Sequence, residues 1–291
     1  MRYYHLSVEG SDGTHLVAET NDGEAYDLTS ASEDLGSFTA LARAANATEQ
    51  TLDDVAAARI PDADSVDPGR LAAEADQPVR AEEVWASGVT YEISEQAREE
   101  ESGKPEVYLD VYESERPELF LKATPSRTVG PNEPIGVRGD STWDVPEPEL
   151  AVVIHRGDVV GYTVGNDVSS RSIEGENPLY LPQAKVFERC CSIGPCVASP
   201  GTVGDPHELT LSMRIARDGD VVYEDETTTG EMVHSCDELV DYLGRHNVLP
   251  ETAVLLTGTG LVPDDFTLQD GDEITIDVEN VGELTNGTVT V

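Results

Sequence analysis

The chain has 291 residues, enough for one large domain or for a small domain joined to a larger one, and its 58 Asp and Glu against 18 Lys and Arg give a formal net charge of −40. A field of that sign repels phosphates, and with no basic stripe it argues against nucleic acid as a partner. It does not mean disorder, because apolar runs such as ELAVVI and TAVLLTG recur along a chain that is 38% hydrophobic.

The opening MRYYHLSVEGSDGTH lacks the apolar segment that heads a secreted chain, and no stretch approaches the roughly 18 apolar residues of a membrane span. A cytoplasmic protein with no membrane partner is expected. Residues 1 to about 30 read as short strands, YYHLSVEG and THLVAE, set off by Asp-Gly and Asn-Asp turns. LGSFTALARAAN and TLDDVAAARI then place Leu35, Phe38 and Leu41, and later Leu52 and Val55, at helical intervals, with Thr51 and Asp54 as a capping box. The polar segment PDADSVDPGRLAAEADQP reads as a linker, which sets a small N-terminal domain at 1–80 against a larger one at 81–291. In the larger part SEQAREEESGK reads as a solvated helix rather than a ligand cluster. ELAVVI, VVGYTVG, ELTLSMRIA, VVYEDE, AVLLTG and EITIDVENVGELTNGTVTV read as strands separated by tight turns, which suggests a curved or closed β structure with few helices.

The stretch TWDVPEPELAVVIHRGDVVGYTVGNDVSSR carries the chemistry. Glu147 and Glu149 are two residues apart and flanked by Pro146 and Pro148, which keep the backbone extended, so both carboxylates share one face. If the next two strands form a hairpin around Arg156, Gly157 and Asp158, a three-residue loop sets Glu147 opposite Asp167; another loop length shifts that register. Three convergent carboxylates repel one another unless a cation sits between them, and hard oxygen ligands choose Mg²⁺, Mn²⁺ or Ca²⁺ over zinc. From spacing alone the same three acids also fit an acidic surface.

Lysine is the second clue. Only Lys104, Lys122 and Lys185 occur, beside fifteen arginines, a composition expected of a salt-rich cytoplasm. The unfolding temperature should therefore rise between about 0.1 M and 1 M KCl, as the Debye length falls from roughly 10 Å to 3 Å; a midpoint independent of KCl would refute this. Lys122 and Lys185 are then candidates to meet a substrate carboxylate or oxyanion. Glu118, four residues before Lys122, is a candidate general base. SGVTY and LLTGTG, at 87–91 and 255–260, offer backbone N–H groups without the spacing of a phosphate loop. Cys190, Cys191, Cys196 and Cys236 fit no zinc spacing and read as buried free thiols. No HExxH or GxSxG motif is present, which leaves hydrolase triads without support.

At these residues the chain resembles the fumarylacetoacetate hydrolase family. The acid pair Glu147 and Glu149, an apolar strand, Gly161-Tyr162-Thr163, Asn166-Asp167, Ser169, Arg171 and Lys185 follow the family's order, as do FLKATPSRTVGP, SIGPC, TGTG and GDEITIDVENVGELTNG. The resemblance implies an α+β fold, with a small N-terminal α/β domain and a C-terminal mixed β-roll. It also implies a divalent metal on Glu147, Glu149 and Asp167, and a homodimer or homotetramer. Family members that hydrolyse C–C bonds carry a His where this chain has Ser94, and a serine hydroxyl cannot act as a base near neutral pH. GVTYEISEQAREEES, YESERPELFLKATPSR, DSTWDVPEPELA and SSRSIEGENPLYLPQAK resemble instead the archaeal branch that dehydrates 2-keto-3-deoxy-pentonates.

That branch implies a lyase acting on a small 2-oxo sugar acid, 2-dehydro-3-deoxy-D-pentonate, to give 2,5-dioxopentanoate. Glu118 and Lys185 would be catalytic, and Ser87, Tyr91, Lys122, Arg171 and Thr259 would bind substrate. An acylpyruvate-type hydrolase or oxaloacetate decarboxylase on the same metal site, and an acidic cation-binding assembly protein, are the alternatives.

Overall fold

The structure is a computed structural model that describes residues 1–7, 13–91, 114–263 and 266–291. Ser94 and the charged run at 94–104 lie outside the described residues.

Strands β1 (Arg2–Ser7), β2 (Thr14–Glu19) and β3 (Ala25–Asp27) lead into helices α1 (Phe38–Thr48) and α2 (Leu52–Ala57) and the short strands β4 (Asp64–Val66) and β5 (Ala75–Asp76). Then come β6 (Glu83–Gly88), β7 (Glu118–Ala123), β8 (Thr128–Val129), β9 (Ile135–Val137), β10 (Asp144–Val145), β11 (Pro148–His155) and β12 (Asp158–Asp167). After β13 (Ser169–Ser170), α3 (Arg171–Glu176) and α4 (Leu181–Lys185) precede β14 (Cys191–Ala198), β15 (Thr210–Arg217) and β16 (Asp220–Thr228). Helix α5 (Cys236–Gly244) and strands β17 (Thr252–Leu256), β18 (Glu273–Val278) and β19 (Gly282–Thr290) complete the order.

Among the described residues these strands form a main mixed sheet in the order β4-β3-β2-β1-β14-β12-β11-β17-β6-β7, a five-stranded sheet β16-β15-β18-β19-β9, and the ribbon β10-β13. The α+β, roll-like architecture expected from the sequence is the one observed. Strand β11 is buried at every position, as its unbroken apolar run requires of a strand covered on both faces. Strands β15 and β18 alternate instead, burying Leu211, Met213 and Ile215 and Ile274, Ile276 and Val278 on one face.

The N-terminal elements form where their caps and apolar positions dictate. Ser37 accepts from the Ala40 N–H, and Nε2 of buried His5 accepts from the Phe38 N–H at 3.0 Å, so two donors that open α1 are satisfied. Thr51 and Asp54 make the expected capping box at α2. The segment expected to be a linker is instead built into the sheet. Strand β4 pairs with β3 and β5 with β1, and Leu71 and Ala75 are buried. Strand β1 pairs with β14, and Tyr3, Leu16 and Phe38 share one apolar cluster with Leu150, Ile193 and Leu211. All four cysteines are free and buried, as expected. Among the described residues no helix is long and apolar enough to cross a membrane.

The hairpin that aligns the acids differs from expectation in its tip. His155 pairs with Asp158, so the turn has two residues, Arg156 and Gly157, both with positive φ (53° and 93°), as such tight turns require. That turn alone would leave the register one residue short. A bulge follows, because Ile154 pairs with Val159 but Val153 with Gly161, and the extra Val160 restores the step. Pro148 consequently faces Asn166, and the Asp167 N–H donates to the Glu147 carbonyl at 2.9 Å. The pairing drawn from a three-residue loop is reached by a two-residue turn plus a bulge.

Candidate active site

Glu147 and Glu149 flank the start of β11 and Asp167 ends β12, and the structure brings one carboxylate oxygen of each within 4.8 Å of the others. All three are buried, and among the described residues they form the one cluster of this kind. Gly165, opposite Glu149, leaves room in the hairpin, since an added Cβ would lie 2.3 Å from Leu256 Cδ2. The Gly258 N–H donates to Glu149 Oε2 at 2.6 Å, so the TGTG segment aims its backbone donor at a carboxylate of the cluster. Burial, with Asp167 and Glu147 adding to it, pushes the Glu149 carboxyl well above the usual range.

Three cations face these acids. Lys185, the last residue of α4, donates to Glu147 Oε2 at 2.6 Å and to Asp167 Oδ2 at 3.1 Å. Burial opposes its charge, but Asp167, Glu147 and Glu174 outweigh burial and hold the ammonium above its ordinary range. Arg171 opens α3 and lies 3.0 Å from Glu147 Oε1. Lys122 is fully buried and comes from a bulge in β7, where Val84 pairs with Ala123 but Trp85 with Leu121, leaving Lys122 as the extra residue. Its ammonium lies 2.5 Å from Asp167 Oδ1 and donates to the carbonyls of Val168 and Lys185 at 2.8 and 2.5 Å. Two buried carbonyls thus accept from the ammonium, and Asp167 compensates its charge. Lys122, expected from the sequence to bind substrate, lies against Asp167, a residue of the acidic cluster.

The alternation of β7 places Glu118 on the same face as Phe120, whose ring lies 5.6 Å from the Lys185 ammonium. Glu118 is opposite Gly88, and its carboxylate sits against that residue, 2.0 Å from where an added Cβ would stand. The Ser87 hydroxyl donates to the Glu118 carbonyl at 2.8 Å. Tyr91 is fully buried beside Glu149, and its hydroxyl has no hydrogen-bond partner among the described residues. Thr259 exchanges hydrogen bonds with the backbone of Leu261 at 3.1 Å, and Gly260 packs against the Tyr91 ring.

One residue of the site was not anticipated. Glu174 is buried on α3, with Oε2 3.9 Å from Arg171 Nη1. The signal was present in RSIEGE, where an acid three residues after an arginine shares its helix face.

The donor set fits a hard divalent cation. It offers three carboxylates with neither His nor Cys, and burial sets up mutual repulsion that such an ion relieves.

Comparison with known proteins agrees with this geometry. The family model described as fumarylacetoacetate (FAA) hydrolase C-terminal matches residues 83–290. A Haloferax volcanii protein named "Probable 2-keto-3-deoxyxylonate dehydratase" is 60% identical over 292 residues, covering 100% of both chains. A Saccharolobus solfataricus protein named 2-dehydro-3-deoxy-D-arabinonate dehydratase is 43% identical over 215 residues, 72% of each chain. The solved structure of a 2-keto-3-deoxy-D-arabinonate dehydratase complexed with magnesium and 2,5-dioxopentanoate aligns with a TM-score of 0.82 at 31% identity, covering 100% of this chain and 99% of that one.

Proposed function

The chain belongs to the fumarylacetoacetate hydrolase family, and from that premise we propose that it is a Mg²⁺-dependent hydro-lyase converting 2-dehydro-3-deoxy-D-pentonate to 2,5-dioxopentanoate. The observation that carries this is the buried trio Glu147, Glu149 and Asp167, with Lys185 bridging two of its members. The compound is the same whether it derives from arabinonate or xylonate, because the oxo group at C2 and the missing hydroxyl at C3 erase the difference.

Glu147, Glu149 and Asp167 would hold the ion, which when bound supplies Lewis acidity that makes the C3 protons of a 2-oxo acid easier to remove. Glu118 takes a C3 proton. The C4 hydroxyl leaves as water, a proton moves from C5 to C3, and protonation of the resulting enol at C4 yields the C5 aldehyde. Lys185, held as the ammonium by its acidic neighbours, donates to the C2 oxygen as charge develops there. Arg171 faces the substrate carboxylate. Tyr91, Ser87 and Thr259 supply hydroxyls for the polar groups of the sugar chain, and Lys122 acts through Asp167.

The test is incubation with the D and L 2-keto-3-deoxy-pentonates in high salt with Mg²⁺, assaying 2,5-dioxopentanoate. Product is expected, lost with a chelator and restored by Mg²⁺ or Mn²⁺; no product from either enantiomer sinks the dehydratase reading. Release of pyruvate from an acylpyruvate would favour the hydrolase instead. Many weak Mg²⁺ sites by calorimetry, with no tight one lost in Glu149→Ala, would favour a cation-binding assembly protein. The proposal also places the enzyme in a salt-rich cytoplasm as a homodimer or homotetramer.

A further inference from the structure

Asn166 is fully buried within the main sheet, and the proposed reaction gives its amide no part. Along β12 it alternates with Gly165 and Asp167, so its side chain leaves the strand on the face away from the carboxylates. The end of the acid hairpin shows what it does there. The Asp167 N–H donates to the Glu147 carbonyl at 2.9 Å, which makes these two residues a hydrogen-bonded pair of an antiparallel ladder. A regular pair of that kind exchanges a second bond, from the Glu147 N–H to the Asp167 carbonyl. Here the Glu147 N–H donates instead to Asn166 Oδ1 at 3.1 Å, and the Asp167 carbonyl accepts from the buried Ser169 hydroxyl at 2.9 Å. A side-chain amide has taken the place of a backbone carbonyl, and the regular pairing stops at Pro148 and Asn166, one step short of the two acids.

The other end of the amide argues against a purely structural purpose. Because Oδ1 is the atom that accepts, Nδ2 is a donor, and it has no hydrogen-bond partner among the described residues. Neither has the hydroxyl of Ser192, its fully buried register partner on β14. A buried donor left unmet is destabilising, and an apolar side chain of the same size would avoid it. Such a breach of local rules is expected where a residue serves function.

We propose that Asn166 is a positioning residue that sets the separation of Glu147 from Asp167, and with it the size of cation that the three carboxylates accept. It acts through the Glu147 backbone. Mg²⁺ demands near-ideal octahedral ligands at about 2.0–2.1 Å, whereas Ca²⁺ accepts flexible ones at about 2.3–2.6 Å, so a disturbed spacing falls more heavily on Mg²⁺. The inference rests on the reading of the trio as a divalent-cation site.

The test is calorimetric titration of Mg²⁺ and of Ca²⁺ into the full chain at one fixed KCl concentration. Asn166→Leu keeps the branched shape and removes both the acceptor and the unmet donor, two effects on folding of opposite sign. It is expected to shift the ratio of the two affinities toward Ca²⁺ by about tenfold or more, the scale on which groups that orient metal ligands act. Asn166→Asp retains an oxygen for the Glu147 N–H and is expected to keep the wild-type ratio, because its added charge attracts two ions of equal charge alike. A purely structural role would weaken both ions together, and an unmoved ratio in Asn166→Leu overturns the proposal. Should Asn166→Leu not fold, Asn166→Asp decides. A retained ratio there supports the proposal, and a ratio shifted about tenfold although the acceptor oxygen is present overturns it. A wild type with no tight site for either ion would overturn the divalent-cation reading beneath it.

Discussion

Replacing Glu118 with Gln is expected to lower kcat by roughly 10²- to 10⁴-fold, the range over which a positioned general base contributes, while Mg²⁺ affinity and the unfolding midpoint stay near wild type. The split follows from place. Glu118 begins β7, on the face that carries Phe120 toward Lys185, and does not belong to the Glu147, Glu149 and Asp167 cluster. Gln keeps the side chain's size against Gly88 while removing its charge. A companion variant separates presence from position. Gly88→Ala would put a methyl 2.0 Å from Glu118 Oε2, forcing the carboxylate to move while leaving it chemically intact, and is expected to lower kcat by a smaller factor. Single-turnover rates with Mg²⁺ titrated in parallel check both. Normal turnover in Glu118→Gln would remove Glu118 from the mechanism.

The parts of the site legible in the sequence were those carried by local pattern. Glu147 and Glu149 share a face because a Pro-flanked i, i+2 pair in an extended chain can hardly do otherwise. Asp167 was legible only conditionally, because its register depends on the hairpin tip. The answer came from two compensating features, the Arg156-Gly157 turn and the bulge at Val160, and a single sequence does not announce where a bulge falls. Lys122 and Lys185 stood out because the chain has almost no other lysine, but scarcity marks a residue without giving its partner. The partners of Lys122, the carboxylate of Asp167 and the carbonyls of Val168 and Lys185, lie 45 to 63 positions away in sequence, which no periodicity reports. The misread linker has the opposite cause. Strands of two or three residues such as β4 and β5 are too short to show alternation, and what makes them strands is the pairing offered by β3 and β1.

Replacing Lys122 with Met is expected to destabilise the protein by about 3–5 kcal/mol in the absence of divalent cations, the usual cost of removing one partner from a buried ion pair. Met is close in volume, so a cavity contributes little. What remains is charge. Lys122 is fully buried, its ammonium lies 2.5 Å from Asp167 Oδ1 and 5.5 Å from the Phe187 ring, and its other donors satisfy two buried carbonyls. Burial opposes the charge on Lys122, but Asp167 outweighs it and the ammonium is held above its ordinary range. Removing that charge leaves Asp167 buried beside Glu149 and Glu147 with Lys185 as its remaining cationic contact among the described residues. The cost should therefore depend on Mg²⁺, since an ion held by the three carboxylates restores compensation to Asp167 and stabilises the folded state it binds. Urea unfolding at fixed KCl is the appropriate measurement, because guanidinium would alter screening as it denatures. The expected result is a large loss of stability for Lys122→Met that saturating Mg²⁺ partly repairs, with a smaller Mg²⁺ effect on the wild type. A loss that Mg²⁺ does not change at all would mean that Lys122 holds the backbone at Val168 and Lys185 and contributes nothing to the charge balance around Asp167.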